Sequence, residues 1–141
     1  MALGDDWQLL DAAETEDFAR NWLKQLGALS GDDSVGHSVV MMGFMAPPEQ
    51  QWAFVVAAVS LAETDEQLGH IAAGPAECLL SRHGEACISL VEERASANRA
   101  FARMLTGVWK HLMPDEVWQR VQRLQSQVDE PLRNSDDESN A

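Results

Sequence analysis

Base is scarce in this chain. Ten Lys and Arg stand against 23 Asp and Glu, a formal net charge of −13 at pH 7 and a pI near 4.5. Neutralising a phosphate backbone needs clustered cations, so nucleic acid is not an expected partner, and neither is an anionic membrane surface. Tyrosine is absent and cysteine occurs only twice, as Cys78 and Cys87. Both cysteines have apolar neighbours in helical sequence, and they read as free core thiols rather than nucleophiles or a disulfide. The longest apolar stretch, Trp52–Val59, is far too short for a bilayer. The opening MALGDDWQLL lacks the basic and apolar regions of a signal peptide. The expected location is the cytoplasm.

Catalytic and cofactor motifs are also missing. Serine offers no GxSxG, and glycine offers neither GxGxxG nor GxxxxGK[ST]. The histidines His37, His70, His83 and His111 form no HxxxH, HExxH or CxxC…H pattern, so no metal site is expected. Asp32-Asp33 lacks the spaced ligands of an EF-hand. No cofactor is expected.

What the chain does have is acid, unevenly placed. Residues 1–66 hold twelve carboxylates against two bases, a net −10, while residues 67–141 hold eleven against eight, a net −3. Such a field adds nothing to stability and acts on whatever approaches. The candidate partner-binding residues are Glu14, Asp17, Asp32, Asp33, Glu49, Asp65 and Glu66. Apolar anchors for the same surface are Trp7 or the Met41, Met42, Phe44, Met45 patch, since methionine suits adaptable surfaces. The alternative is that this patch fills the core.

The pattern predicts an all-α fold, a bundle or stacked array of about six or seven short helices. At 141 residues one domain is the default. Thr15-Glu16-Asp17 reads as an N-cap with an acidic first turn, opening a helix over roughly 14–28 that stops at Gly27. The run 37–46 fits strand or helix, and its helical neighbours favour helix. Pro47-Pro48-Glu49 starts the helix expected to be most buried, to about Leu61. Thr64 and Gln67 make a capping box. Gly74-Pro75 is expected to end one helix and open the next, and His83-Gly84 to close that one. Asn98 reads as a cap or hinge before Phe101, Leu105, Val108 and Trp109. Pro114 starts a last helix with Val117, Trp118, Val121 and Leu124 inward. The expected helical domain is 1–128, followed by a disordered acidic tail, 129–141.

Three segments taken together resemble a bacterial domain family of unknown function. They are Pro48-Glu49-Gln50-Gln51-Trp52, the stretch from Leu68 through Gly74-Pro75-Ala76-Glu77 to Leu80 with His83-Gly84, and Phe101 with Gly107-Val108-Trp109. The family pattern is roughly P-E-x-x-W, then IAAGPLExLLxxHG, then F-x-x-x-L-x-x-V-W, and the resemblance covers about residues 47–120. Ala76 and Cys78 stand where the pattern has leucine and a polar or acidic residue. The resemblance implies an all-helical fold and no particular activity. In size, charge and lack of catalytic motifs the chain is also similar to small acidic immunity proteins.

The expected function is therefore cytoplasmic protein binding, in its most concrete form an immunity protein that occludes the basic cleft of an antibacterial toxin. Two alternatives belong to other classes. One is a small enzyme or ligand-binding domain using Glu77, His70 and His83, whose plainer roles are satisfying N–H groups and capping carbonyls. The other is an adaptor that self-associates through exposed tryptophan.

Overall fold

A computed structural model describes residues 10–26, 34–110 and 112–132. Among these residues the chain is all-helical, with seven α-helices and no strand. They are α1 (Ala12–Leu26), α2 (Ser34–Met45), α3 (Pro48–Leu61), α4 (Asp65–Ile71), α5 (Glu77–Ala97), α6 (Arg99–Leu105) and α7 (Asp115–Ser126), with a π-helical turn at Ala72–Ala76. None is long and apolar enough to cross a membrane. Trp7, Gly27, Asp32, Asp33 and the acidic tail from 133 lie outside the described residues.

α1 opens earlier than expected. Asp11 Oδ1 accepts from the Glu14 N–H at 2.8 Å and Glu14 Oε1 accepts from the Asp11 N–H at 3.0 Å, a reciprocal cap. Thr15 is therefore inside the helix. Its hydroxyl donates to Asp11 O at 2.9 Å and accepts from Gln50 Nε2 at 3.1 Å, both ends buried between α1 and α3. An aspartate four residues upstream made the better cap and left Thr15 for tertiary contact.

α3 is the centre of the packing, in contact with α1, α4, α5, α6 and the π-turn. Extended Pro47 precedes Pro48, whose fixed φ suits a first helical turn. Phe54, Val55, Ala58 and Val59 are buried. Phe54 meets Phe18 at 5.1 Å and Trp22 at 5.7 Å between ring centroids, so α1 and α3 run side by side in the same direction from the Thr15–Gln50 tie. Trp52 packs edge-on to Phe101 of α6 at 5.6 Å.

The Thr64–Gln67 capping box forms as the spacing predicts. The break expected at Gly74-Pro75 does not occur, and the helical path continues from Asp65 to Ala97. Proline lacks the N–H for a bond to residue i−4 and its ring presses on that carbonyl. A π-turn relieves both problems by widening the spacing, and the Glu77 N–H reaches back five residues to Ala72 O. The expected closure at His83-Gly84 is a kink instead. His83 adopts φ −131°, ψ 23°, and helix resumes at once. Gly84 is not in the left-handed conformation of a helix stop; it lets α7 approach, because a Cβ there would lie 2.9 Å from Val117 Cγ1.

Asn98 caps α6 by accepting from the Phe101 N–H at 2.9 Å. Val117 and Val121 are buried on α7, while Trp118 and Leu124 pack on the core partly buried. Trp109, the last of the apolar series that follows Asn98 (Phe101, Leu105, Val108, Trp109), is exposed. The first four residues of the expected tail are docked on α6. Leu132 is buried and its N–H donates to Thr106 Oγ1 at 2.8 Å. Arg99 pairs with Glu130 at 2.9 Å, and Arg103 Nε donates to Glu130 O at 2.8 Å.

Candidate binding surface

From Val39 on, α2 is apolar on both sides. Val39, Met42, Gly43 and Ala46 are buried, and Val40, Met41, Phe44 and Met45, one helical step round, are 36–57% exposed. The patch therefore does both things weighed from the sequence: Met42 fills the core, and Met41 and Met45 face solvent. This double use is why periodicity does not separate strand from helix in this segment, since an amphipathic stripe needs a polar side. The face is fixed from behind. A Cβ on Gly43 would lie 3.2 Å from Cys78 Cβ, so α2 sits hard against the first turn of α5. From α5, the Arg82 guanidinium lies 4.3 Å over the Phe44 ring, a cation–π contact at the edge of the patch.

The candidate carboxylates divide into two groups. Glu14 and Glu49 are each next to a residue of the Thr15–Gln50 tie, so the starts of α1 and α3 bring them to one end of the molecule, with Asp17 one turn further on. Asp65 and Glu66 begin α4, beyond the far end of α3, about 20 Å away along a 14-residue helix. The two groups do not form one continuous patch.

Several of these acids are already engaged. Asp17 and Glu16 both pair with Arg20, at 2.7 and 2.6 Å. Asp65 takes a two-pronged contact from Arg103, at 2.8 and 2.9 Å. That hydrogen-bonded guanidinium holds the Asp65 carboxyl below its ordinary value. Glu14 serves its own helix cap. Glu49 and Glu66 remain exposed with no ion pair among the described residues, and Glu49 follows four residues after Met45. Of the candidate acids that are described, Glu49 and Glu66 are therefore the two whose carboxylates stand open to solvent without an ion pair.

Glu77, His70 and His83 have separate surroundings. Glu77 Oε2 accepts from the Trp109 backbone N–H at 3.1 Å. His70 is exposed near the end of α4, and His83 forms the α5 kink. A cavity of about 190 Å³ lies between α6 and residues 127–130, and an open cleft of about 610 Å³ lies between α5 and α7; neither is lined by any of the three. Burial pushes both thiols up, with Cys78 half-buried and Cys87 buried, and both are free. No cluster of three potential metal ligands occurs among the described residues.

The motif residues thus have a structural assignment. Pro75 widens the helix into the π-turn, Glu77 receives the 106–110 loop, Gly107 sits where a Cβ would lie 3.1 Å from Ala72 Cβ, and Gly84 admits Val117. A family model described as a family of unknown function, DUF6869, matches residues 32–128. The chain belongs to this family. The matched span of this DUF6869 chain holds α2, Glu77 and Trp109 and leaves out α1. No curated protein and no solved structure shows significant similarity to it.

Proposed function

We propose that this protein is a protein-binding module whose α2 face docks a basic partner, and that its most concrete role is that of a cytoplasmic immunity protein occluding the basic cleft of an antibacterial toxin. The observation that carries the reading is the exposed side of α2. Four large apolar side chains lie together on a helix whose other side is packed at Val39, Met42 and Gly43, so the face is held from behind and already formed. Desolvating it against a partner supplies affinity, while isolated rim charges supply little. The −13 net charge supplies a different quantity, faster encounter with a positive partner. Pairing of Asp17 and Asp65 removes two local contacts but leaves most of that long-range field in place.

The test is binding kinetics against the purified product of the adjacent gene. Phe44→Ala is expected to raise the dissociation rate at least tenfold. Glu49→Lys with Glu66→Lys is expected to slow association and flatten its dependence on salt. Unchanged association, salt dependence and dissociation in these variants would refute the reading.

A further inference from the structure

The loop between α6 and α7 presents two more large apolar groups, Trp109 at 64% exposure and Leu112 at 75%. Single exposed apolar residues are ordinary on a protein surface. The backbone beneath these two is not ordinary, because it is held from several directions. Gln125 Nε2 of α7 donates to Leu105 O at 2.8 Å and to Val108 O at 3.0 Å. Glu77 of α5 receives the Trp109 N–H. Val108 and Met113 are buried on either side of the pair, and Gly107 abuts Ala72 of the π-turn. The indole contributes little to this arrangement, yet the arrangement fixes where the indole stands. A large ring on backbone held at Val108 and Trp109 loses little entropy on binding, as an interface anchor requires.

Position links the loop to α2. Glu77 and Cys78 are consecutive residues of the first turn of α5. Glu77 holds Trp109, and Cys78 backs Gly43. One side chain, one Cα–Cα step and one packing contact separate Trp109 from Gly43, so the ring stands within roughly 20 Å of α2. A standard interface of about 800 Å² per partner is roughly 30 Å across if circular, enough to cover both. Charge selects the occupant. A second copy would bring another −13 to the contact, whereas a basic partner brings Arg and Lys, for which an exposed indole is the best aromatic platform.

We infer that Trp109, with Leu112, is the second anchor of the α2 docking surface, and that a single basic protein partner covers both; this rests on the function proposed above. On this reading the α2 face, Trp109 and Leu112 are parts of one surface, joined by the first turn of α5.

The experiment combines hydroxyl-radical footprinting with affinity measurement, using the full chain and the purified product of the adjacent gene. Trp109, Met41 and Met45 are expected to oxidise readily in the free protein and to be protected together in the complex. Trp109→Ala is expected to weaken binding about tenfold or more, with unchanged thermal stability, because the anchoring bond to Glu77 uses the backbone N–H. Protection of Met41 and Met45 with Trp109 still reactive, or wild-type affinity in Trp109→Ala, overturns the second anchor and leaves the α2 reading intact. Binding with neither site protected, or no binding, overturns both. Trp109 protection in the isolated protein that rises with its own concentration means self-association, and also overturns the proposal.

Discussion

Glu77 and Trp109, 32 residues apart, are joined side chain to backbone. The Glu77 carboxylate accepts the Trp109 N–H at 3.1 Å, and this bond ties the start of α5 to the loop before α7. The pattern residues Gly74-Pro75 and Glu77 act in sequence here: the proline forces a π-turn, the π-turn sets the phase of α5, and the phase aims Glu77 at the loop. Glu77→Ala removes the acceptor and leaves the N–H to water. The expected cost is about 1 kcal/mol in denaturant unfolding, together with faster hydrogen exchange at Trp109. Glu77→Gln keeps an acceptor oxygen at the same reach and is expected to restore both measurements most of the way. Equal losses in the two variants would mean that the carboxylate charge, and not the hydrogen bond, matters.

Asp65 and Arg103 make a contribution that depends on pH in a definite direction. The Arg103 guanidinium holds the Asp65 carboxyl below its ordinary value, so the folded state binds that proton less readily than the unfolded chain. The stabilisation is complete above the unfolded carboxylate range, near pH 4, and disappears as pH falls through the lower folded value. Asp65 is half exposed, which holds the pair to about 0.5–1 kcal/mol. Denaturation of wild type and Asp65→Asn should therefore differ by a constant amount from pH 5 to 7 and converge below pH 4. A gap that widened on acidification would contradict the assignment.

Gly84 and Val117 make a steric prediction. An added methyl at position 84 would lie 2.9 Å from Val117 Cγ1 and 3.1 Å from Cγ2, and a valine in a helix has little rotamer freedom to withdraw. Gly84→Ala is expected to destabilise by about 1–3 kcal/mol despite the better helix propensity of alanine. Adding Val117→Ala should recover part of that loss, giving a favourable coupling in a double-mutant cycle. Additive losses would show that α7 is not seated on Gly84.

Local signals were the legible part of this fold. Pro48 at a helix start, the Thr64–Gln67 box and the Asn98 cap each depend on groups within four residues, and each formed where its spacing predicted. Features that depend on a distant partner were not legible. Thr15 has the chemistry of a cap, and its burial against Gln50 is decided 35 residues away. Gly84 reads as a stop until Val117 is beside it. Trp109 follows the apolar spacing of α6, yet α6 ends at Leu105 and the indole falls on a loop. The candidate site was half legible for the same reason. The sequence located the Met41–Met45 patch and counted the acids, but pairing of Asp17 with Arg20 and of Asp65 with Arg103 appears only in three dimensions.

Leu132 tests whether the chain end belongs to the domain. Its side chain is buried, lying against the position a Cβ on Gly107 would take, and its N–H is bound to Thr106. Leu132→Ala is expected to cost about 2 kcal/mol, the low end for a buried leucine because the site is at the edge of the core. Truncation after Val128 also removes the Glu130 contacts to Arg99 and Arg103 and should cost more. A truncated chain as stable as the whole would place the domain boundary at 128 after all.

Met42 and Phe44, two residues apart on α2, separate stability from binding. Met42 is buried and Phe44 is more than half exposed, with the Arg82 guanidinium above its ring. Truncating Met42 empties core volume, so Met42→Ala should cost about 2–4 kcal/mol. Truncating Phe44 loses one exposed ring face and one cation–π contact, so Phe44→Ala should change stability by no more than about 0.5–1 kcal/mol. A side chain of that size, held rigid and contributing so little to folding, leaves most of its apolar area available to a partner. Thermal denaturation of the two variants measures the difference directly. If Phe44→Ala proved as destabilising as Met42→Ala, the outer side of α2 would be part of the core's own support, and the docking role would lose its physical basis.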